Sequence, residues 1–225
     1  MAKKKDSVVE QAYSILKGQI VNLGLRPGQL LMVQQLATEL GMSRTPVREA
    51  LIRLKEENMV DEADGNKFRV SEISWKLIQE NYQARMILEE AAIRYIAQHA
   101  SEEQTRRLEE VAEAMQRAKD TTDYALYFEM DTLFHKEIVR MTGNSILVNW
   151  AENTADHQQR IRYCTMGLSS ELEVSLAEHW DMVKYIQEKN PEQAAAKIHS
   201  HLVRALSEML KLQNGAYLGT LALIS

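Results

Sequence analysis

Apolar residues recur along most of this chain at intervals of three and four, the spacing of one face of an α-helix. Val9, Ala12, Leu16 and Ile20 form the first such stripe, which Gly24, Pro27 and Gly28 end and turn. After the short apolar piece Gln29 to Met32, Val33, Leu36, Ala37 and Leu40 stand at i, i+3, i+4 and i+7, and Gly41 offers the positive φ that closes a helix. Val47, Ala50, Leu51 and Leu54 repeat the spacing, so two short helices can pack face to face across a tight turn. Ser43 or Thr45 can cap the second, and Pro46 fits only its first turn, where its missing N–H would have had no partner. Met59 to Glu62, the turn Asp64-Gly65-Asn66 and Lys67 to Val70 then read as a hairpin.

Beyond this point the stripes lengthen. One runs from Trp75 to about His99, with Trp75, Ile78, Tyr82, Met86, Glu89, Ile93 and Ile96 near one line. Ser101-Glu102-Glu103 opens the next, which carries Leu108, Val111 and Met115. Thr121 or Thr122 opens another that closes at Gly143-Asn144; Asn144 or Ser145, then Ser170, then Asn190-Pro191 mark further starts. The pattern predicts a mostly α protein of two domains. Residues 1–74 form a winged helix-turn-helix of three helices plus a small β-hairpin, ending in the link Val70 to Ser74. Residues 75–225 form an antiparallel all-α bundle of six or seven helices.

With the apolar face of the second short helix turned inward, Arg44 and Arg48, four apart, share an outward face at its start. A helix-turn-helix docks by placing the first turns of this helix in the major groove of DNA, where an arginine fork can take guanine O6 and N7. A solvated face paired to Glu49 or Glu39 is the plainer reading. The net charge of −5 is unusual for a DNA-binding chain. Its distribution answers part of that objection: residues 1–74 hold 11 Lys+Arg against 10 Asp+Glu, and residues 75–225 hold 16 against 22. From Ser43 to Lys55 three arginines and a lysine face Glu49 alone. Lys67 and Arg69 put further charge on the hairpin, whose tip could lie on phosphates or in the minor groove.

Leu25-Arg26-Pro27-Gly28, Leu36-Ala37 and the run Leu40-Gly41-Met42-Ser43-Arg44-Thr45-Pro46-Val47-Arg48-Glu49-Ala50-Leu51 resemble the winged helix-turn-helix of the GntR family of bacterial transcription regulators. The resemblance covers about the first 70 residues. It implies a homodimer on a short palindromic double-stranded operator, with Ser43, Arg44, Thr45, Arg48, Lys67 and Arg69 at the DNA. One departure stands out: the family's wing usually carries a second glycine, and Lys67 takes that place here.

The bundle holds polar residues on apolar stripes. Asp131 and His135 lie among Tyr124, Phe128 and Ile138; His179 among Leu172, Leu176, Val183 and Ile186; His201 among Ala194, Ile198 and Ala205. Burying a carboxylate and three imidazoles without partners would cost several kcal/mol, so they need something to bind. A satisfied core histidine is the ordinary fate of any one of them. Together, from three helices, they form a sufficient ligand set for a divalent transition metal, with zinc the first expectation and nickel or another such ion the second. Asp131-xxx-His135, Gly143-Asn144, Glu178-His179 and His201 further resemble the FCD ligand-sensing domain that follows the winged helix in the FadR subfamily, over about residues 75–211. That resemblance implies a metal on Asp131, His135, His179 and His201 facing a small effector, often a carboxylate. It places Arg85, in Arg85-xx-Leu88-Glu89, toward the effector, which a guanidinium can hold bidentately; a salt bridge to Glu89 is the alternative. His99, His157 and His199 read as surface residues, and Asn144 as a turn or cap residue.

Three functions compete on these residues: a transcription regulator governed by an effector, a metal-dependent hydrolase or lyase, and a structural DNA-binding protein without a ligand. Against the enzyme stand the absence of HExxH and of a serine or cysteine nucleophile motif, and the place of Glu178, about a quarter turn from His179. The single Cys164 excludes an intramolecular disulfide and suits a cytoplasmic protein. No run reaches the ~18–20 apolar residues of a membrane span. The apolar tail Ala216 to Ile224 reads as a docking segment or a disordered end.

Overall fold

The computed structural model describes residues 2–65, 67–165 and 172–214. The described residues divide into two compact units, the first comprising 2–65, 67–74 and 159–164, the second 75–158, 165 and 172–214.

In the first unit α1 (Ala2–Val21) precedes a short strand β1 (Leu30–Leu31), the helix pair α2 (Val33–Glu39) and α3 (Arg44–Glu56), and the strands β2 (Val60–Ala63) and β3 (Lys67–Val70). The hairpin is thus part of a three-stranded antiparallel sheet with β3 in the middle, because the apolar piece before α2 pairs Leu30 with Arg69 and Leu31 with Phe68. Strand alternation sends Leu31 into the core and leaves Leu30 exposed. Leu16, Ile20, Leu31, Leu51, Leu54, Phe68 and Val70 form one continuous apolar core, with the inner faces of α1 and α3 pressed together. Gly28 makes the bend into β1 possible. Its φ is +77°, its N–H donates to Val70 O at 2.9 Å, and a Cβ there would meet Glu72 Oε1 at 2.5 Å. Ser43, not Thr45, takes the cap position of α3, with extended backbone and no side-chain capping bond, and Pro46 falls in the first turn. Fully buried Arg160, on the segment that clusters with this unit, donates from Nη2 to Ser71 O at 2.5 Å.

The second unit has six helices among the described residues: α4 (Trp75–His99), α5 (Glu102–Asp120), α6 (Tyr124–Arg140), the first part of α7 (Ser145–Thr165), α8 (Leu172–Gln187) and α9 (Pro191–Asn214). α4 packs along α9, and α5 along α6 and α8. Ser101 and Gln104 form a reciprocal capping box at the start of α5. α6 is capped by Asp123, which accepts from Leu126 N, and not by either threonine: Thr122 sits at φ +56° in the turn that closes α5. Asn144 Oδ1 accepts from Ile146 N and Leu147 N and opens α7, and Asn190 does the same for Gln193 N at α9. Ser170 and the apolar tail from Ala216 to Ile224 lie outside the described residues. His99 and His199 are exposed, but His157 is buried, because its polar stretch of α7 turns that side inward.

Candidate nucleic-acid interface and metal centre

On the first unit, α3 presents Arg44, Thr45, Arg48, Glu49 and Ile52 along one side of an open groove of about 730 Å3. Gly65 and Lys67 of the wing and Met32, Val33 and Gln34 at the start of α2 also line it. The two arginines are one helical turn apart, and the Arg48 guanidinium lies 6.0 Å from the ring of Phe68 on β3, a cation–π placement that ties α3 to the wing. The basic residues further along α3 are engaged elsewhere: Arg53 pairs with Glu10 at 2.6 Å and Lys55 with Glu62 at 3.1 Å. Ser43 and Arg69 do not line this groove. Arg69 Nη1 donates instead to Gly28 O at 3.0 Å, on the side where β1 joins β3.

In the second unit, Asp131 and His135 from α6, His179 from α8 and His201 from α9 come together, one ligand atom of each lying within 4.8 Å of the others, and all four are buried. Spacing explains the convergence. Asp131 and His135 are one turn apart on the inward face of α6, and each of the other histidines occupies a core position of its own helix. His179 Nε2 lies 3.4 Å from Asp131 Oδ1 and 3.4 Å from His135 Nε2, and His135 Nε2 lies 3.9 Å from Asp131 Oδ2.

The outward-facing nitrogens fix this arrangement. His135 Nδ1 donates to Glu89 Oε2 at 2.6 Å, His201 Nδ1 to Glu178 Oε2 at 2.7 Å, and His179 Nδ1 to the Ser175 carbonyl at 2.6 Å. A carboxylate or a carbonyl can only accept, so each Nδ1 carries the proton and each Nε2 turns to the centre. Burial pushes His135 and His201 below the usual histidine pKa and keeps them neutral. Both carboxylates are ionised against the opposing effect of burial. Arg85 and His135 bring Glu89 to about 2, and hydrogen bonds from His201 and Arg204 bring Glu178 to about 2.

Arg85 Nε donates to Glu89 Oε1 at 2.6 Å, with both side chains buried, so the salt-bridge alternative describes its contact. The pair then continues through Glu89 to His135. Glu89 and Glu178 were not singled out from the sequence as outer partners. Glu89 carried a signal, an acid on a buried stripe four residues after an arginine. Glu178 stands in the sequence only as the neighbour of His179 in the FCD-like pair, about a quarter turn away, and its bond to His201 is a contact between α8 and α9.

The donor set fits a metal. Two imidazole nitrogens facing each other at 3.4 Å, with at most one proton between them and burial resisting a second charge, form a place that a cation relieves.

The gntR family of bacterial regulatory proteins matches residues 8–70, and the FCD domain matches residues 80–204. This chain belongs to the GntR regulators that carry an FCD domain. Similar proteins include the HTH-type transcriptional regulator YdhC of Bacillus subtilis, 29% identical over 192 residues, or 85% of this chain and 86% of that one. The transcriptional repressor RspR of Escherichia coli is 26% identical over 91% of this chain and 89% of its own length. The solved structure of E. coli McbR/YncC superimposes with a TM-score of 0.78 at 25% identity, covering 92% of this chain and 99% of that one. The metal-free FCD domain of TM0439 shares the bundle fold, with a TM-score of 0.52 over 62% of this chain and 95% of that one. The regulator is a DNA-binding transcription factor and not an enzyme, so the hydrolase or lyase reading of the Asp/His cluster falls. Among its described residues no helix is long and apolar enough to cross a membrane.

Proposed function

We propose that this regulator binds a palindromic operator as a homodimer in the cytoplasm, and that a small carboxylate bound beside a divalent transition metal sets its affinity for that operator. Zinc is the first expectation for the metal, held by Asp131, His135, His179 and His201. The observation that carries the metal is the outward anchoring of all three Nδ1 atoms, which turns every Nε2 to one buried point. Outer partners of this kind orient metal-bound histidines and raise their basicity. A bound ion would supply a Lewis-acidic seat for a carboxylate oxygen. Arg85 would stand beside it: Glu89 accepts the hydrogen bond from Nε–H, and a guanidinium has five N–H donors.

At the DNA, Arg44 and Arg48 would meet base edges and phosphates, with Ser43 and Thr45 as hydroxyl contacts and Lys67 and Arg69 on the wing. Their supports are the groove that Arg44, Thr45, Arg48 and Lys67 share and the family to which the fold belongs. Control requires only that the effector favour one of two arrangements of the dimer.

The test is one preparation with two readouts. Wild-type protein should bring roughly one zinc per chain through gel filtration, and small organic acids should raise its Tm only when the metal is present. His179→Ala should lose the metal by elemental analysis and with it the response to acids. Full metal occupancy in that variant would remove the ligand set.

A further inference from the structure

The groove between α3 and the wing is not cationic throughout. Four large apolar side chains stand exposed in the first unit among the described residues, and two of them, Met32 at 47% and Ile52 at 40%, line this groove. A third, Leu30, lies two residues before Met32. Each groove residue breaks a local rule. Met32 is the N-cap of α2 and makes no side-chain capping bond, where a serine, threonine, aspartate or asparagine would stabilise the helix by about 1 kcal/mol. Ile52 is a β-branched apolar residue on the solvent side of α3, in line with Arg44 and Arg48 at successive turns. Departures of this kind are expected where a surface serves recognition.

The flanking Arg44, Arg48 and Lys67 name the partner of the groove as a polyanion, and the family names it as duplex DNA. In the major groove of a duplex the apolar group that distinguishes one base from another is the C5-methyl of thymine. We infer that Ile52, with Met32 lining the same groove, is a thymine-reading surface, so that each operator half-site carries a thymine whose methyl packs on Ile52. Ile52 stands four residues, about 6 Å along the helix, beyond Arg48, and bases on one strand are about 3.4 Å apart. The thymine therefore falls about two base steps from the pair met by Arg48. The inference rests on operator binding and is independent of the metal and the effector.

Replacing thymine by uracil removes the methyl and nothing else, which supplies the test. The full-length protein selects duplexes from a randomised pool, and each thymine of the winning sequence is then replaced singly by uracil. At one thymine per half-site the substitution should weaken wild-type binding about fourfold, the effect of withdrawing one buried methyl-sized group. Ile52→Ala should bind the thymine and uracil duplexes alike, while Ile52→Val should keep most of the discrimination. Met32→Ser should leave the protein at least as stable and reduce the same preference. Uracil tolerated at every position by the wild type, or full discrimination in Ile52→Ala, overturns the assignment. A pool that yields no preferred duplex overturns specific operator binding itself, and the inference with it.

Discussion

The two units use charge in opposite ways. In the winged unit the cluster around Leu16, Leu51, Leu54 and Phe68 is apolar, with the buried Arg160 held against Ser71 O, and Arg44, Arg48 and Lys67 line an open groove. In the bundle, Arg85, Glu89, Asp131, His135 and His179 lie inside, linked by contacts of 2.6 to 3.4 Å, and buried His201 is held by Glu178 at 2.7 Å. A surface cation costs little to keep and acts at long range on a polyanion. A buried charge must have partners, so its removal damages the fold before any function is lost. In the proposed function the same residue type, arginine, is therefore a reader at position 48 and, in the structure, a framework element at position 85.

The largest effect that would sharpen this contrast comes from Glu89→Leu. It leaves the Arg85 guanidinium buried without its partner and should cost about 3–5 kcal/mol in urea unfolding. The double variant Arg85→Leu/Glu89→Leu should recover most of that loss, and equal damage in both would mean that the ion pair is not what Glu89 supplies. Next in size is the response to acid of the metal-free protein. Burial lowers the pKa of His135 and His201, so below about pH 6.5 the unfolded chain takes up protons that the folded chain refuses. Stability should hold above pH 6.5 and fall as pH drops beneath it, by up to about 1.4 kcal/mol per pH unit for each histidine. Thermal unfolding of EDTA-treated protein between pH 8 and 5.5 measures it, and a flat profile would break the comparison on the bundle side. Smallest in stability is Arg48→Ala, expected within about 0.5 kcal/mol of wild type by urea unfolding. Yet it should weaken binding to a selected duplex about 5- to 150-fold, as the loss of one bidentate base contact would. A stability loss in this variant comparable to that of Glu89→Leu would dissolve the distinction between reader and framework.

What could be read from the sequence follows the same division. Helix positions were legible because a 3.6-residue period survives wherever one face is buried, as α3, α5 and α6 illustrate. The four cluster residues were legible because each is a polar group at an apolar position. Three things were not. β1 has only two residues, and its pairing with β3 is a tertiary event that local pattern cannot announce. The cap of α6 was misplaced because Thr121, Thr122 and Asp123 are all capable residues, and the choice of Asp123 depends on Thr122 taking a positive φ. His157 looked like a surface residue because polar neighbours surround it in sequence, whereas its side of α7 turns inward.

The tethered imidazoles carry one more consequence. With every Nδ1 proton already donated outward and with His135 and His201 uncharged, these two rings have no hydrogen to surrender when an ion arrives near neutral pH. Coordination by these two rings would then release no proton, so at His135 and His201 the loading of the centre would follow the supply of free metal in the cell.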